Sequence, residues 1–171
     1  MQIEVADAAS AQRSLPQLVE LIVRTVEGGA SIGWLPPLAT DDATSYWRGR
    51  IGAVTAGTCV LLLAWDGETL VGTAQLALEP RPNGNHRAEV QKVMVRDGYR
   101  RQGIARQLMV ALEEQARRHG RSLLFLDTRE GDVAELLYRQ MGYARAGAIP
   151  NYVRSERGGF DATVLYYKWL G

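Results

Sequence analysis

The segment between Val90 and Leu126 constrains the fold more than any other part of the chain. Val90–Val95 is apolar and rich in β-branched residues, which predicts a buried strand. Ser122–Leu126 is a continuous apolar run, as expected of a second strand that is covered on both faces. Because a helix is predicted between them, these two strands are expected to run parallel. The apolar face of that helix is formed by Ile104, Leu108, Ala111, Leu112 and Ala116.

The rest of the pattern predicts an antiparallel sheet with helices packed against it. Three strands follow one another before the helix, the first two joined by a turn at Asp66-Gly67-Glu68. The predicted strands outside the central segment are Ile3–Val5, Thr58–Trp65, Leu70–Leu78, Arg87–Val95, a short strand after Tyr143, and Phe160–Leu170. The other helices are Ala11–Val26 with a true start near Ser14, Thr40–Ala56, and about two turns from Gly131.

The fold class is therefore α/β, with a mixed, mostly antiparallel sheet, one parallel β-α-β pairing and about four helices. Gly147–Gly159 is predicted to be a long polar loop. Since no Pro, Gly or Ser-rich linker divides the chain, residues 1–171 are expected to form a single domain.

Charge and cysteine usage exclude several kinds of function. The net charge of +1 gives no reason to expect a nucleic acid or a membrane as partner. Cys59 has no disulfide partner and heads an apolar run, so a core position is favoured over a catalytic thiol. Neither His86 nor His119 has neighbours at metal-ligand spacing, so no metal is expected. Met1–Val5 lacks the features of a signal peptide, and a cytoplasmic enzyme is predicted.

The loop between the strand and the helix has the properties of a phosphate-binding site. Backbone N–H groups at a helix start have no intrahelical acceptor, and the helix dipole adds positive potential there. Gly103 and Ala105 allow a pyrophosphate close to the backbone, while Arg100, Arg101 and Arg106 add charge. The alternative is an ordinary surface turn with solvated arginines.

Arg100-x-x-Gly103-x-Ala105, following a Val-x-Val strand end, resembles the acetyl-CoA signature of the GNAT superfamily of N-acetyltransferases. The order of strands and helices is similar to the GNAT fold along nearly the whole chain. The resemblance implies acetyl-CoA as co-substrate, with pantetheine bound by backbone groups of Val93 and Val95. It also implies that a backbone N–H near Val93 or Met94 polarises the acetyl carbonyl. The implied cofactor-binding residues are Val93, Met94, Val95, Arg100, Arg101, Gln102, Gly103, Ile104, Ala105 and Arg106.

Tyr138 is the candidate general acid. It lies in the segment Ala134–Tyr143, which resembles the family's A-x-x-x-Y-x-x-x-G-F/Y helix, where the tyrosine faces the CoA sulfur. A phenol within hydrogen-bond reach can donate a proton to a leaving thiolate. The alternative is a core tyrosine whose hydroxyl is bonded to a carbonyl group.

Glu89 and Asp127 are the candidate carboxylates for handling the amine. Glu89 lies on the strand that leads into the signature, and Asp127 follows the next strand. Since parallel strands place their C-terminal ends on one side, Asp127 is expected near the ligand. Alternatively, Glu89 pairs with Arg87 or Lys92, and Asp127 caps the following loop.

The loop Gly28–Leu38 is the candidate for substrate selection. It carries large apolar groups between glycines and prolines, as loops that line or cover ligand sites often do. Trp34, Trp47 and Tyr152 are predicted to build the pocket, with Glu89 and Asp127 also contacting the substrate. The alternative is that Trp34 merely anchors the loop to the core.

Three blocks are similar to a narrower group in this superfamily, the tabtoxin-resistance acetyltransferases: Val26–Gly33, Arg87–Val95 and Leu126–Thr128. That group acetylates an amino-acid toxin. We therefore expect an acetyl-CoA-dependent N-acetyltransferase that acts on a small amine, such as an amino-acid-like compound, toxin or antibiotic. Direct transfer in a ternary complex is implied, and a homodimer is compatible with the sequence. The alternative is a non-catalytic CoA-binding sensor.

Overall fold

The computed structural model describes residues 1–171, which form seven strands and five helices. The strands are β1 (Gln2–Ala6), β2 (Cys59–Asp66), β3 (Thr69–Leu78), β4 (Arg87–Val95), β5 (Leu123–Arg129), β6 (Ala144–Arg154) and β7 (Phe160–Trp169). The helices are α1 (Ala8–Arg13), α2 (Leu15–Glu27), α3 (Thr40–Thr55), α4 (Ile104–Arg118) and α5 (Ala134–Gln140). No helix combines the length and the apolar composition that crossing a bilayer requires.

All seven strands belong to one sheet, in the order β1-β2-β3-β4-β5-β7-β6. Every neighbouring pair is antiparallel except β4 and β5, which are connected through α4 and run parallel. The predicted mixed sheet with one parallel β-α-β pairing is therefore confirmed. The helices number five rather than about four.

Helices cover both faces of the sheet, and each layer has its own core. On one face α4 buries Ile104, Leu108 and Leu112 against alternate residues of the central strands, because these positions share one side of the helix. On the other face, α1, α2 and α3 pack around Trp47 and Leu61.

The N-terminal helix of the prediction is divided in two. Ser14 ends α1 and starts α2, and its hydroxyl donates to the carbonyl of Ser10 at 2.8 Å. The expected start near Ser14, with Pro16 in the first turn, is correct for α2. The sequence prediction missed the short preceding helix, whose N-terminus is capped by the Asp7 carboxylate.

The prediction of a long loop over Gly147–Gly159 is wrong. Most of it belongs to β6, and the turn to β7 occupies only residues 155–159. β6 is the outermost strand, most of its residues are exposed, and its register shifts twice along β7. An edge strand with Gly147 and Pro150 shows no apolar alternation, so its composition resembles that of a loop.

Candidate active site

An extra residue in β4 opens the sheet at the site. Gln91 pairs with Gln75 and Met94 with Thr73, so two residues of β4 stand opposite Ala74 alone. Lys92, one of those two, has a φ of 51°. This is a β-bulge, which bends the strand.

Beyond the bulge, β4 and β5 separate. Their parallel pairing covers only Arg87–Glu89 and Leu123–Phe125, although both strands continue. Arg96 N–H donates to Val71 on β3 at 2.8 Å. Since neighbouring residues of a strand direct their N–H groups to opposite sides, the N–H groups of Val95 and Val93 face the gap. The two valines expected to bind pantetheine thus present backbone groups where a linear ligand could lie, with Met94 buried between them.

The loop after β4 presents a series of unused backbone donors. No backbone N–H group from Arg100 to Arg106 donates to a protein acceptor, and the first bonded amide is Gln107, to Gly103 at 3.0 Å. Arg101 has a φ of 62° and Gly103 a φ of 81°, so the chain turns sharply as α4 begins. Successive amides in such a turn form an anion-binding concavity.

The side chains of this segment, which includes Gln102, Ile104 and Ala105, are arranged around the same turn. Ile104 is buried and anchors the helix start, while the arginines and Gln102 are exposed. Arg100 pairs with Asp97 at 3.1 Å, and Arg106 donates to Gln140 at 2.9 Å. The residues present therefore fit a pyrophosphate: free amides at the centre and cationic side chains at the rim.

Glu89 and Asp127 lie on the same face of the sheet, on the two strands that separate. Ala88 and Val90 belong to the core under α4, so Glu89 between them points to the opposite face. The same alternation holds for Asp127, which follows the buried Leu126. Glu89 makes no ion pair with Arg87 or Lys92, and Arg87 instead pairs with Glu79 at 3.2 Å.

Asp127 is not at the end of its strand. β5 continues to Arg129, so the expected closure at Asp127-Thr128 is wrong, and the carboxylate lies in regular strand paired with Leu165. Its Oδ2 accepts from the hydroxyl of Thr163 at 3.1 Å, which fixes the carboxylate against β7. Its side chain remains exposed at the gap.

Tyr138 approaches from the opposite face of the sheet. It is 7% exposed, in the core under α4 and α5, with its ring 6.0 Å from that of Tyr143. Its hydroxyl has no hydrogen-bond partner in the protein, unlike that of Tyr166, which bonds to Glu135. Burial raises the pKa of Tyr138 to about 12, and the charges of Asp132 and Asp127 add to the effect. The phenol is therefore protonated at neutral pH and close enough to Asp127 to respond to its charge.

The Gly28–Leu38 loop covers the carboxylate side of the gap. It reaches the ends of β5 and β6, where Trp34 and its neighbours line a small cavity with Arg129, Arg154 and Glu156. The Trp34 ring meets Tyr46 edge-on, with centroids 4.9 Å apart. Trp34 thus joins the loop to Tyr46 on α3 and to Lys92 on β4, and it packs against the core on that face of the sheet.

Four residues of this site were missed in the sequence: Tyr46, Arg50, Gln75 and Lys92. The Lys92 ammonium lies 5.3 Å from the Trp34 ring centroid and 5.6 Å from that of Tyr46. Tyr46 and Arg50 are one turn apart on α3, and Gln75 is a polar residue inside an otherwise apolar strand. The spacing of Tyr46 and Arg50 and the polar residue in an apolar strand can both be seen in the sequence. Their proximity to Lys92 results only from tertiary packing.

Two of the predicted pocket residues are not brought together with the others. Trp47 is fully buried in the core between α3 and the sheet, so its predicted place in the pocket is wrong. Tyr152 is 55% exposed on the outer strand β6. No three His, Cys, Asp or Glu residues lie close enough to hold a metal ion.

Comparison with known proteins identifies the family of the chain. The sequence profile of the Acetyltransferase (GNAT) family matches residues 27–143, more than half of the chain. An uncharacterized N-acetyltransferase in the hisH-hisA intergenic region of Azospirillum brasilense is 36% identical over 107 residues. That match covers 61% of this chain and 62% of the relative, so less than two thirds of the relative's length is spanned.

Solved structures share the fold at low sequence identity. A ribosomal-protein-alanine N-acetyltransferase from Brucella melitensis is 22% identical, with 99% of each chain covered and a TM-score of 0.80. The protein yncA from Salmonella typhimurium, solved with its cofactor acetyl-CoA, is 18% identical, with 100% of this chain and 94% of that chain covered and a TM-score of 0.81. The chain belongs to the GNAT family of acetyltransferases, because the family profile matches more than half of it. The strand order and the loop at the start of α4 agree with this assignment.

Proposed function

We propose that this protein transfers the acetyl group of acetyl-CoA to the amine of a small molecule, by direct attack in a ternary complex. One observation carries the proposal. The gap between β4 and β5 has carboxylates, Glu89 and Asp127, on one face and the unpartnered hydroxyl of Tyr138 on the other. An acyl transfer to an amine requires a proton acceptor on the amine side and a proton donor on the leaving-group side.

Each part of the chain has a separate role in this reaction. The amides of Arg100–Arg106 hold the pyrophosphate, and the backbone of Val93–Val95 orients the pantetheine and polarises the acetyl carbonyl. When bound, acetyl-CoA supplies the acetyl thioester. Glu89 or Asp127, directly or through water, removes a proton from the acceptor ammonium so that its nitrogen lone pair can attack. As the N–C bond forms and the C–S bond breaks, Tyr138 gives its proton to the departing sulfur. The nitrogen loses its second proton to solvent as the amide forms, and Tyr138 regains a proton from solvent.

The proposed acceptor class is supported by the residues beside the carboxylates. Trp34 and Tyr46 bring aromatic rings and Lys92 brings a cation to this side of the sheet, which suits a small polar amine. An amino-acid-like compound is our proposal, with the toxin of the tabtoxin-resistance group as one candidate to test. We also propose that residues 1–171 act as one domain in the cytoplasm, supported by the continuous sheet and by the unpaired Cys59.

The test measures the release of CoA thiol from acetyl-CoA in the presence of amino acids, amino sugars or the toxin. A disulfide reagent that forms a colour with the free thiol monitors the release. Cys59 adds no background because it is buried and burial raises its pKa to about 11. We expect release with at least one amine. Tight binding of acetyl-CoA by calorimetry, with no release for any amine, would instead identify a CoA-binding sensor.

A homodimer is proposed through the outer edge of the sheet. β6 leaves one row of backbone groups unpaired, and Ile149, Phe160 and Trp169 on β6 and β7 are exposed by 41%, 55% and 59%. Edge strands with exposed apolar side chains are sites of strand-to-strand association. Light scattering should give twice the chain mass, and Ile149→Lys should return it to that of a monomer. A monomeric wild-type protein contradicts the proposal.

A further inference from the structure

Three polar side chains converge beside the two carboxylates, and each carries a donor group that has no protein acceptor. Arg50 extends from α3, Gln75 from β3 and Lys92 from the bulge of β4; we refer to these three as the donor cluster. Its walls are aromatic: the Lys92 ammonium lies over the rings of Trp34 and Tyr46, and the Arg50 guanidinium is 5.8 Å from the Tyr46 centroid. The donor cluster is therefore on the α3 face of the sheet, the face that also carries Glu89 and Asp127.

The amide of Gln75 is the most buried member. The residue is 0% exposed, and its Oε1 accepts from the Tyr46 hydroxyl at 3.0 Å. That bond directs the other end of the amide away from Tyr46, where Nε2 has no acceptor. A buried N–H₂ group without a partner costs free energy, so its retention needs an explanation.

The two cations lack an anion as well. The Nε of Arg50 is buried and unpartnered, and Arg50 makes no ion pair. Burial lowers the pKa of the Lys92 ammonium, while the charges of Asp127 and Glu89 act in the opposite direction without forming an ion pair with it. A carboxylate is an anion that accepts several hydrogen bonds, so two cations and one amide donor without a protein acceptor between them are suited to bind it.

We propose that the donor cluster binds the carboxylate of the acceptor, so that the acceptor is a zwitterionic α-amino acid or a close analogue. The inference rests on the proposed acetyl transfer and makes its substrate class specific. Glu89 and Asp127 receive the ammonium group of the same molecule, while Lys92, Arg50 and the Gln75 amide receive its carboxylate. Recognition of opposite charges from one face of the sheet orients the amine toward the gap.

Calorimetry with N-acetyl-L-amino acids tests the carboxylate contact without requiring turnover. Each N-acetyl amino acid is compared with its α-amide, which keeps the shape but removes the negative charge. We expect the acid of at least one pair to bind about tenfold or more tightly than the amide, since hydrogen bonds to charged groups are strong. Equal affinities, or no binding, in every pair would overturn the donor cluster as a carboxylate site.

Two substitutions assign any preference to the cluster. Lys92→Met and Arg50→Met keep the side-chain length without the charge, and either should reduce the acid-to-amide ratio toward one. Arg48→Met is the matched control, because Arg48 is exposed on the same helix; it should leave the ratio unchanged. A ratio that survives both Lys92→Met and Arg50→Met overturns the assignment.

The failure of this inference is distinct from failure of the proposed activity. Thiol release with amines, together with equal binding of acids and amides, removes the carboxylate site but keeps the acetyltransferase. A preference for acids that depends on Lys92 and Arg50, without thiol release for any amine, keeps the carboxylate site and removes the activity.

Discussion

The hydroxyl of Tyr138 has no protein partner, unlike the hydroxyls of two other tyrosines near the site. Tyr166 hydrogen-bonds to Glu135, and Tyr46 hydrogen-bonds to Gln75. With a pKa raised to about 12 by burial, Tyr138 keeps its proton throughout the range in which an amine loses one. A donor that is always protonated and not already engaged is suited to a thiolate leaving group.

Tyr138→Phe should therefore lower kcat by about 100-fold, the usual contribution of a positioned general acid, while the Kd of acetyl-CoA stays the same. Steady-state kinetics and calorimetry check the two quantities. Tyr143→Phe is the control, since it removes a hydroxyl from the adjacent ring, 6.0 Å away, and should leave kcat unchanged. Unchanged turnover in Tyr138→Phe would assign the residue to packing alone.

At the scale of the element, the loop between β4 and α4 combines left-handed backbone with unpaired amides. Gly103 has a φ of 81° and is the N-cap of α4, with no side-chain capping bond. Gly120, just beyond the other end of the same helix, has a φ of 67°. A β-branched residue at either position is strained by a similar amount, so the two ends form a matched pair.

Gly103→Val should weaken acetyl-CoA binding by about tenfold or more, because relief of the strain moves the amides out of their common orientation. Gly120→Val should lower the stability of the fold by an amount similar to that of Gly103→Val, without changing the Kd of acetyl-CoA. Calorimetric titration together with thermal unfolding separates the two effects. Equal Kd values for Gly103→Val and the wild-type protein would show that these amides do not hold the pyrophosphate.

Two glycines in different elements should respond oppositely to the same substitution. A Cβ at Gly72 on β3 would lie 2.9 Å from the Met94 carbonyl oxygen, whereas a Cβ at Gly49 on α3 meets nothing within 4 Å. Gly72→Ala should lower the free energy of unfolding by about 1–3 kcal/mol, because the added methyl group overpacks the sheet. Gly49→Ala should stabilise by about 0.5–1 kcal/mol because Ala favours the helix. Chemical denaturation measures both, and a stabilising Gly72→Ala would contradict the close approach of β3 and β4.

For the whole molecule, the sheet and its helices could be predicted from periodicity, but the site only in part. Val90–Val95 and Leu124–Leu126 show the pattern of buried strands, and the signature loop marks where α4 begins. The bulge at Lys92 could not be predicted, because no glycine or proline in Val90–Val95 marks the extra residue. Arg50 and Gln75 reach Lys92 only through packing of α3 on the sheet, which no local pattern describes.

The acid sensitivity of the fold should depend partly on Glu79, which precedes the loop leading into β4. Hydrogen bonds from Arg81 at 2.8 Å, with a further one from Arg87, hold the pKa of Glu79 far below its ordinary value of 4.5. A carboxyl with a lowered pKa stabilises the folded state above 4.5, and this contribution is lost as the pH falls. Glu79→Gln should lower the Tm at pH 7, and the difference from the wild-type protein should shrink steadily below pH 4.5. A difference independent of pH would exclude ionisation as its cause.

The bulge in β4 also changes which ligand each stretch of that strand can contact. Before it, odd-numbered residues such as Glu89 face α3; after it, an even-numbered one, Met94, joins the core on that face. Without the shift, Val93 and Val95 would present their amides to β3, and the gap would have no donors. A one-residue deletion at position 92 should therefore keep Glu89 on the α3 face, but it should turn the amides of Val93 and Val95 toward β3 and remove Lys92 from the donor cluster. One inserted residue, rather than any side chain, thus decides which backbone donors of β4 face the gap.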